Sequence, residues 1–126
     1  MNSIVHSNEA PAAVGPYSQA VATESLLFVS GQLPIDVETG KFNSDNVVDQ
    51  THQCLKNLSA ILEKGGSSLK HVLKTTVYLK NISDFAAMNE VYATYFTQDP
   101  PARAAFEVAN LPKDALVEIE AIASRS

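Results

Sequence analysis

Arg103 is the residue of this sequence with the clearest capacity for binding chemistry. The chain has two arginines, and the other, Arg125, is the next-to-last residue. Arg103 stands at the predicted start of a strand, where its planar guanidinium suits a carboxylate held by two parallel hydrogen bonds. Spacing alone leaves open a structural alternative, an intersubunit salt bridge to Glu107, Glu118 or Glu120.

Glu118 and Glu120 form a second group of interest near the C-terminus. They lie two residues apart on a predicted strand, so both side chains project to the same face. On a solvated edge they would be ordinary surface charges. On a face buried between subunits, one of them could hold and orient a water molecule.

Other kinds of chemistry have little support in the sequence. His6, His52 and His71 fall on three different elements without the spacing of metal ligands. Cys54 lies on the apolar stripe of a predicted helix, where a cysteine usually serves as a small buried hydrophobic residue. The chain has no glycine-rich phosphate loop and no nucleophile elbow. We therefore predict neither a metal nor an organic cofactor.

Composition places the chain among ordinary globular proteins. Its 126 residues fit one domain (1–126), with 45% hydrophobic and 18% charged residues. Nine Lys and Arg against fourteen Asp and Glu give a net charge of −5, which argues against binding to nucleic acid or to an anionic membrane. The single cysteine excludes an internal disulfide. Without a signal sequence or a long apolar run, we expect a cytoplasmic protein.

Hydrophobic periodicity predicts an α+β protein with the order β-β-α-β-α-β-β. The predicted strands are 18–22, 26–30, 72–80, 102–109 and 115–123, and the predicted helices are 46–64 and 84–96. Ser44 or Asp45 is the expected cap of the first helix, and the glycines at 65 and 66 end it. Right-handed crossovers would place both helices on one face of a mixed sheet.

Strand alternation assigns side chains to the two faces of this sheet. The face toward the helices is predicted to carry Phe106, Val108, Val117, Ile119 and Ala121. The opposite face is predicted to carry Lys74, Thr76, Tyr78, Arg103, Ala105, Glu107, Glu118, Glu120 and Ile122. This second face mixes apolar, aromatic and charged groups, which suits a subunit interface better than open water. We therefore expect an oligomer.

Six segments, taken together, resemble the Rid family of reactive intermediate deaminases, also called YjgF-type or L-PSP-type proteins. They are residues 10–20 (APAAVGPYSQA), 29–34 (VSGQLP), 74–77 (KTTV), 85–92 (FAAMNEVY), 101–108 (PARAAFEV) and 111–123 (LPKDALVEIEAIA). The resemblance implies a chorismate-mutase-like fold. It also implies a homotrimer with a central barrel, and a ligand cleft between each pair of subunits.

The resemblance also implies an activity, the cofactor-free hydrolysis of 2-imino acids such as 2-iminobutanoate and 2-iminopropanoate to 2-oxo acids and ammonia. PLP-dependent dehydratases generate such imines. The family's carboxylate-binding arginine corresponds to Arg103 and its water-positioning glutamate to Glu118. Its remaining cleft residues correspond to Tyr17, Ser30, Gly31, Asn89 and Ala105.

This chain departs from the family at two points near the arginine. Many members have a cysteine where Ala105 stands, but the family uses mainly the backbone carbonyl there. The preceding segment, TQDPPA, is about two residues shorter than in many members, which affects the rim of the cleft. Two alternative functions are a non-enzymatic trimer that binds small carboxylates and an L-PSP-type endoribonuclease or translation inhibitor. Arg103 favours the enzyme, and the net charge disfavours a ribonuclease.

Overall fold

A computed structural model describes residues 2–125 as one mixed sheet with two helices packed on one face. The predicted domain also includes Met1 and Ser126, which lie outside the described residues. The strands are β1 (Ser3–Val5), β2 (Ala20–Ala22), β3 (Leu26–Gln32), β4 (Val72–Leu79), β5 (Ala102–Glu107) and β6 (Val117–Ser124). The helices are α1 (Val47–Lys64) and α2 (Phe85–Tyr95), and three single-turn helices lie in the connections.

The strand nearest the C-terminus, β6, lies inside the sheet, whose strand order is β1-β2-β3-β6-β4-β5. β6 runs antiparallel to β3 and β4, whereas β4 and β5 run parallel and are connected through α2. The predicted order of five strands and two helices is confirmed, with one addition. Ser3–Val5 forms a short strand that pairs with β2. Three residues are too few for a recognisable alternation, so the sequence does not indicate this strand.

The boundaries of α1 follow from its caps. Asn46 is the N-cap, and its Oδ1 accepts a hydrogen bond of 2.9 Å from the Asp49 N–H. The predicted cap at Ser44 or Asp45 is therefore wrong by one or two residues, because it is the side-chain amide of Asn46 that bonds to a free N–H of the first turn. Gly65 ends the helix, as predicted. The buried side of α1 includes Cys54, Leu55, Leu58, Ile61 and Leu62.

The alternation predicted for β6 is confirmed. Val117 and Ile119 are fully buried, and Ala121 is 3% exposed, because all three lie beneath the helices. Glu118 and Glu120, between them, point to the uncovered face and remain partly accessible. The core thus fixes where the two carboxylates must project.

The face assignment predicted for β5 is wrong. In the parallel pairing, Arg103 lies beside Thr75, which is buried beneath α2, and Phe106 lies beside Tyr78 on the uncovered face. Arg103, Ala105 and Glu107 therefore share the helix side, and Val108 lies beyond the end of the strand. The prediction assumed that the large apolar Phe106 would face the helices. At this edge of the sheet, two aromatic rings of α2 pack against Arg103 instead.

A buried amide attaches the N-terminal segment to the sheet. The Oε1 atom of Gln19 accepts from the Ser7 N–H at 2.6 Å, and Nε2 donates to the carbonyls of Ser7, Ala10 and Pro11 at 3.1, 3.4 and 2.8 Å. Gln19 is only 3% exposed. One side chain therefore satisfies the backbone of a segment that has no regular structure of its own.

We expect Gln19→Leu to lower the free energy of unfolding by about 3 kcal/mol, because it leaves buried backbone groups without partners. Hydrogen exchange should increase over residues 7–14, while the helices keep their protection. Urea denaturation and exchange measured by mass spectrometry check these two effects. The exposed Gln98 provides the matched control, and an equal loss of stability in Gln98→Leu would contradict this role for Gln19.

Candidate active site

A β-bulge in β3 creates the position of the Glu118 carboxylate. Val29 pairs with Ala121, but Gln32 pairs with Ile119, so Ser30 and Gly31 together face Glu120 alone. A Cβ atom at Gly31 would overlap Oε2 of Glu118, so the carboxylate could not remain in its present place. The Glu118 carboxylate therefore occupies the space that a side chain at position 31 would fill, and glycine leaves that space free.

Ser30 and Tyr17 stand beside this carboxylate at the wall of a cavity. The Ser30 hydroxyl donates to the Ser18 carbonyl at 2.6 Å, and its N–H donates to the Gln19 carbonyl at 2.9 Å. The Tyr17 ring is 54% exposed, and its hydroxyl accepts from the Val14 N–H at 3.4 Å. The cavity measures about 670 Å³, and its wall includes Tyr17, Ser30, Gly31, Lys113, Glu118 and Glu120.

The environment of Glu118 makes it a stronger base than a free glutamate. Burial raises the pKa of its carboxyl above the ordinary value of 4.5, and the nearby negative charge of Glu120 raises that pKa further. A carboxylate with a raised pKa is better matched to proton transfer near neutral pH. Burial and the two carboxylates also raise the pKa of Tyr78, which lies directly across from Glu118, so its hydroxyl stays protonated.

Arg103 occupies a second cluster, between β5 and α2. Its Nη1 atom donates to the Asn89 Oδ1 at 2.7 Å. Its guanidinium carbon lies 4.8 Å from the ring centre of Tyr92 and 5.4 Å from that of Phe85. Among residues 2–125 of one chain, no carboxylate oxygen lies within 4.0 Å of this guanidinium. The cation is therefore oriented by an amide and two aromatic rings, and it makes no ion pair within the described chain.

The structure brings the predicted site residues together as two half-sites. Tyr17, Ser30, Gly31 and Glu118 form the carboxylate half-site, and Asn89, Arg103 and Ala105 lie at the guanidinium half-site. Arg103 pairs with Thr75 on the helix side of the sheet. Glu118 lies opposite Tyr78 on the other side, three residues further along β4. One chain alone therefore does not bring Arg103 and Glu118 together.

Sequence reasoning missed three residues near Arg103: Phe85 and Tyr92, whose rings lie against the guanidinium, and Thr75, which pairs with Arg103 in the sheet. The signal for two of them was present, because Phe85, Asn89 and Tyr92 follow the i, i+4, i+7 spacing of one helix face. Hydrophobicity alone, however, assigns Phe85 and Tyr92 to the apolar stripe of α2 and gives no sign of a charged partner. Their contact with Arg103 depends on the register between β4 and β5, which periodicity does not give.

Two further properties concern residues 2–125. Within that range no three His, Cys, Asp or Glu side chains are grouped so as to hold a metal ion. None of the helices described there is long and apolar enough to cross a bilayer. The absence of a cofactor remains a prediction.

The fold and site define a class of small α+β proteins with a carboxylate and an aromatic-bound arginine on opposite sides of one sheet. The family model described as Endoribonuclease L-PSP matches residues 7–125. A RutC family protein of Pyrococcus horikoshii is 54% identical, over 98% of both chains. The 2-iminobutanoate/2-iminopropanoate deaminase of Mus musculus is 47% identical, over 95% of this chain and 89% of that protein.

A solved structure agrees with these matches. The crystal structure of E. coli TdcF with bound serine is 42% identical, with a TM-score of 0.94 over 98% of this chain and 99% of that chain. The chain belongs to the Rid family, also known as the YjgF or L-PSP family. The predicted family and fold are confirmed.

We expect Gly31→Ala to expel the Glu118 carboxylate from its place against β3. Because the φ angle of Gly31 lies outside the left-handed region, the added methyl group acts by contact with Oε2 and not by backbone strain. The displaced carboxylate gains water, so its pKa should fall toward the ordinary glutamate value. Carbon-13 NMR titration of the Glu118 carboxyl measures this change. Gly65→Ala is the contrast, since its methyl group meets Leu27 in the core; an equal pKa change there would refute the explanation.

We expect Glu118→Gln to raise the free energy of unfolding at about pH 7 and to change it little at about pH 4. The folded-state pKa of Glu118 lies above its unfolded value, so its contribution to stability is fully present below the unfolded pKa. That contribution is lost as the pH rises through the folded pKa. Urea denaturation at the two pH values tests this. Glu63→Gln, the same charge change on the exposed side of α1, is the control, and an equal effect there would contradict the prediction.

Proposed function

We propose that this protein is a 2-iminobutanoate/2-iminopropanoate deaminase that converts reactive 2-imino acids into 2-oxo acids and ammonia. The observation that carries the proposal is the preorganised Arg103, held by Asn89 and two aromatic rings without a carboxylate partner among residues 2–125 of its own chain. The name of the mouse relative, at 47% identity, supports the same activity. The serine in the E. coli TdcF crystal structure is itself a small carboxylate.

Substrate orientation is the role proposed for Arg103. Its bond to Asn89 uses one of the five N–H donors of the guanidinium, and the others can bind the substrate carboxylate at two points. Tyr17, Ser30, Gly31 and the Ala105 carbonyl would border the rest of the ligand. Because the imine carbon is already electrophilic beside its carboxylate, the reaction requires orientation and an activated water, and it needs no cofactor.

Glu118 is proposed to activate that water. Its carboxylate accepts a proton as the water oxygen bonds to the imine carbon, the C=N electron pair moves to nitrogen, and Glu118 passes that proton to the nitrogen, which gives a carbinolamine. The carbinolamine then collapses: Glu118 takes the hydroxyl proton and passes it to the nitrogen, the C=O bond forms as the C–N bond breaks, and ammonia leaves with Glu118 again ionised. The raised pKa of Glu118 favours both directions of proton transfer.

The proposed reaction requires two copies of the chain, since each copy presents its Arg103 and its Glu118 on opposite sides of the sheet. We propose a homotrimer in which the uncovered faces meet. Phe28 and Phe106, on that face, are 43% and 44% exposed and would be buried by such packing. The Arg103 cluster of one copy would then complete the cavity of the next. We also propose a cytoplasmic location, consistent with the free thiol of Cys54.

The first test couples the protein to a threonine dehydratase and follows release of 2-oxobutanoate above the uncatalysed rate, with RNA degradation measured in parallel. We expect Arg103→Lys to lose roughly a thousandfold in kcat/KM, because an ammonium lacks the planar fork. We expect Glu118→Gln to retain affinity for 2-oxobutanoate while losing turnover. RNA cleavage without imine hydrolysis would refute the proposal.

Mixing the two inactive variants tests the shared site directly. If chains assort at random after co-refolding at equal amounts, about a quarter of the sites combine an intact Arg103 with an intact Glu118. Activity should therefore recover to about a quarter of the parental value. Each variant refolded alone is the control. Mixed oligomers without any recovered activity would show that the site is not shared.

A further inference from the structure

The aromatic surface beneath Arg103 belongs mainly to Tyr92. The guanidinium carbon is closer to the Tyr92 ring centre, at 4.8 Å, than to that of Phe85, at 5.4 Å. Tyr92 is only 5% exposed, whereas Phe85 is half-buried. A cation over a buried ring is attracted more strongly than one over a solvated ring, because less water competes.

The Tyr92 ring is itself held in place at both ends. Its hydroxyl shares a hydrogen bond of 2.7 Å with Oγ1 of Thr75, which is 1% exposed. The ring packs against that of Phe96, with ring centres 4.6 Å apart. Burial raises the pKa of Tyr92, so its hydroxyl stays protonated and can donate or accept in this bond. The ring therefore has little freedom to rotate.

Thr75 connects this arrangement back to the arginine. It pairs with Arg103 across the parallel strands β4 and β5, so the anchor of the ring and the backbone of the arginine are fixed by the same strand pair. Arg103 thus contacts the Tyr92 ring, Tyr92 bonds to Thr75, and Thr75 pairs with Arg103 in the sheet. A tyrosine that only filled the core would not need a hydroxyl bonded to Thr75, the residue that pairs with Arg103.

We propose that Tyr92 is a positioning residue for Arg103, which fixes the plane of the guanidinium before a carboxylate ligand arrives. The proposal rests on the proposed function only in naming that ligand as a 2-imino or 2-oxo acid. A free arginine side chain loses conformational entropy when it binds, and a ring that restricts it beforehand reduces this loss. Asn89 fixes one nitrogen atom, and Tyr92 fixes the plane. Together they leave the outer edge of the fork directed at the ligand.

The test compares Tyr92→Leu, Tyr92→Phe and the control Tyr95→Leu, which makes the same kind of change one turn further along α2. Tyr95 bonds to His52 and is not among the aromatic rings stacked on Arg103. Calorimetry measures affinity for 2-oxobutanoate without requiring turnover. We expect Tyr92→Leu to weaken binding about tenfold and Tyr92→Phe, which keeps the ring but loses its bond to Thr75, to weaken it about threefold, whereas Tyr95→Leu should bind as the parent does. In the coupled assay, KM should rise in Tyr92→Leu, with kcat nearly unchanged.

Chemical modification gives a second readout. Phenylglyoxal reacts with arginine, and Arg125, which donates to the carbonyls of Gly65 and Thr23, serves as an internal reference. In the parent, 2-oxobutanoate should protect Arg103 and not Arg125. In Tyr92→Leu, protection should require about ten times more ligand.

The outcomes separate the two proposals. If the parent neither binds 2-oxobutanoate nor shows protection of Arg103, the proposed function is wrong. If the parent binds and a folded Tyr92→Leu binds equally well, Tyr92 is only a core residue and the positioning role is wrong. If Tyr92→Leu does not fold, Thr75→Val removes the anchor at nearly constant volume. Affinity then falls at least threefold if Tyr92 positions Arg103, and unchanged affinity overturns the proposal.

Discussion

Burial of Val117, Ile119 and Ala121 beneath the helices forces Glu118 and Glu120 onto the opposite face of β6. The side-chain period of a strand is two, so no local adjustment of β6 could place the core and the carboxylates on one side. The bulge in β3 then gives the Glu118 carboxylate a place against Gly31. The burial that stabilises the fold thus determines where the Glu118 carboxylate lies, and the partial burial of that carboxylate raises its pKa.

Buried amides hold the loops that surround the cavity. Gln19 binds the N-terminal segment, and Asn57 donates to the carbonyls of Leu33 and Ile35 at 3.1 and 3.0 Å. Gln50 donates to the Ser44 carbonyl and accepts from the Leu116 N–H, each at 2.9 Å. An amide offers both a donor and an acceptor, which matches the mixed needs of irregular backbone. These loops are therefore fixed to the scaffold by side chains in place of regular secondary structure.

The sequence predicted best those helices and strands that bury one face in the core and expose the other. The periodicity of α1 and the alternation of β6 predicted both elements to within a few residues, since each has one face in the core. Strand β5 lies at the edge of the sheet, where the apolar Phe106 lies outside and the charged Arg103 lies against α2. A prediction from hydrophobicity alone therefore assigned both of these side chains to the wrong face of the sheet. Family motifs predicted Arg103 and Glu118 as site residues, but the separation of these two residues within one chain depends on strand order and register, which no local pattern contains.

The same separation links the proposed catalysis to assembly. Within one chain, the guanidinium that Tyr92 and Asn89 orient lies on one side of the sheet and the Glu118 carboxylate lies on the other. In the proposed reaction the two groups act on one substrate only when a second copy of the chain supplies one of them. In the proposed trimer, burial of the uncovered face would drive association, and the same contact would exclude water from the cleft. Removal of water strengthens both the arginine–carboxylate bond and the shift of the Glu118 pKa, because each depends on a low local dielectric. A single chain would then be an incomplete enzyme by geometry, and its activity would depend on protein concentration through the association equilibrium.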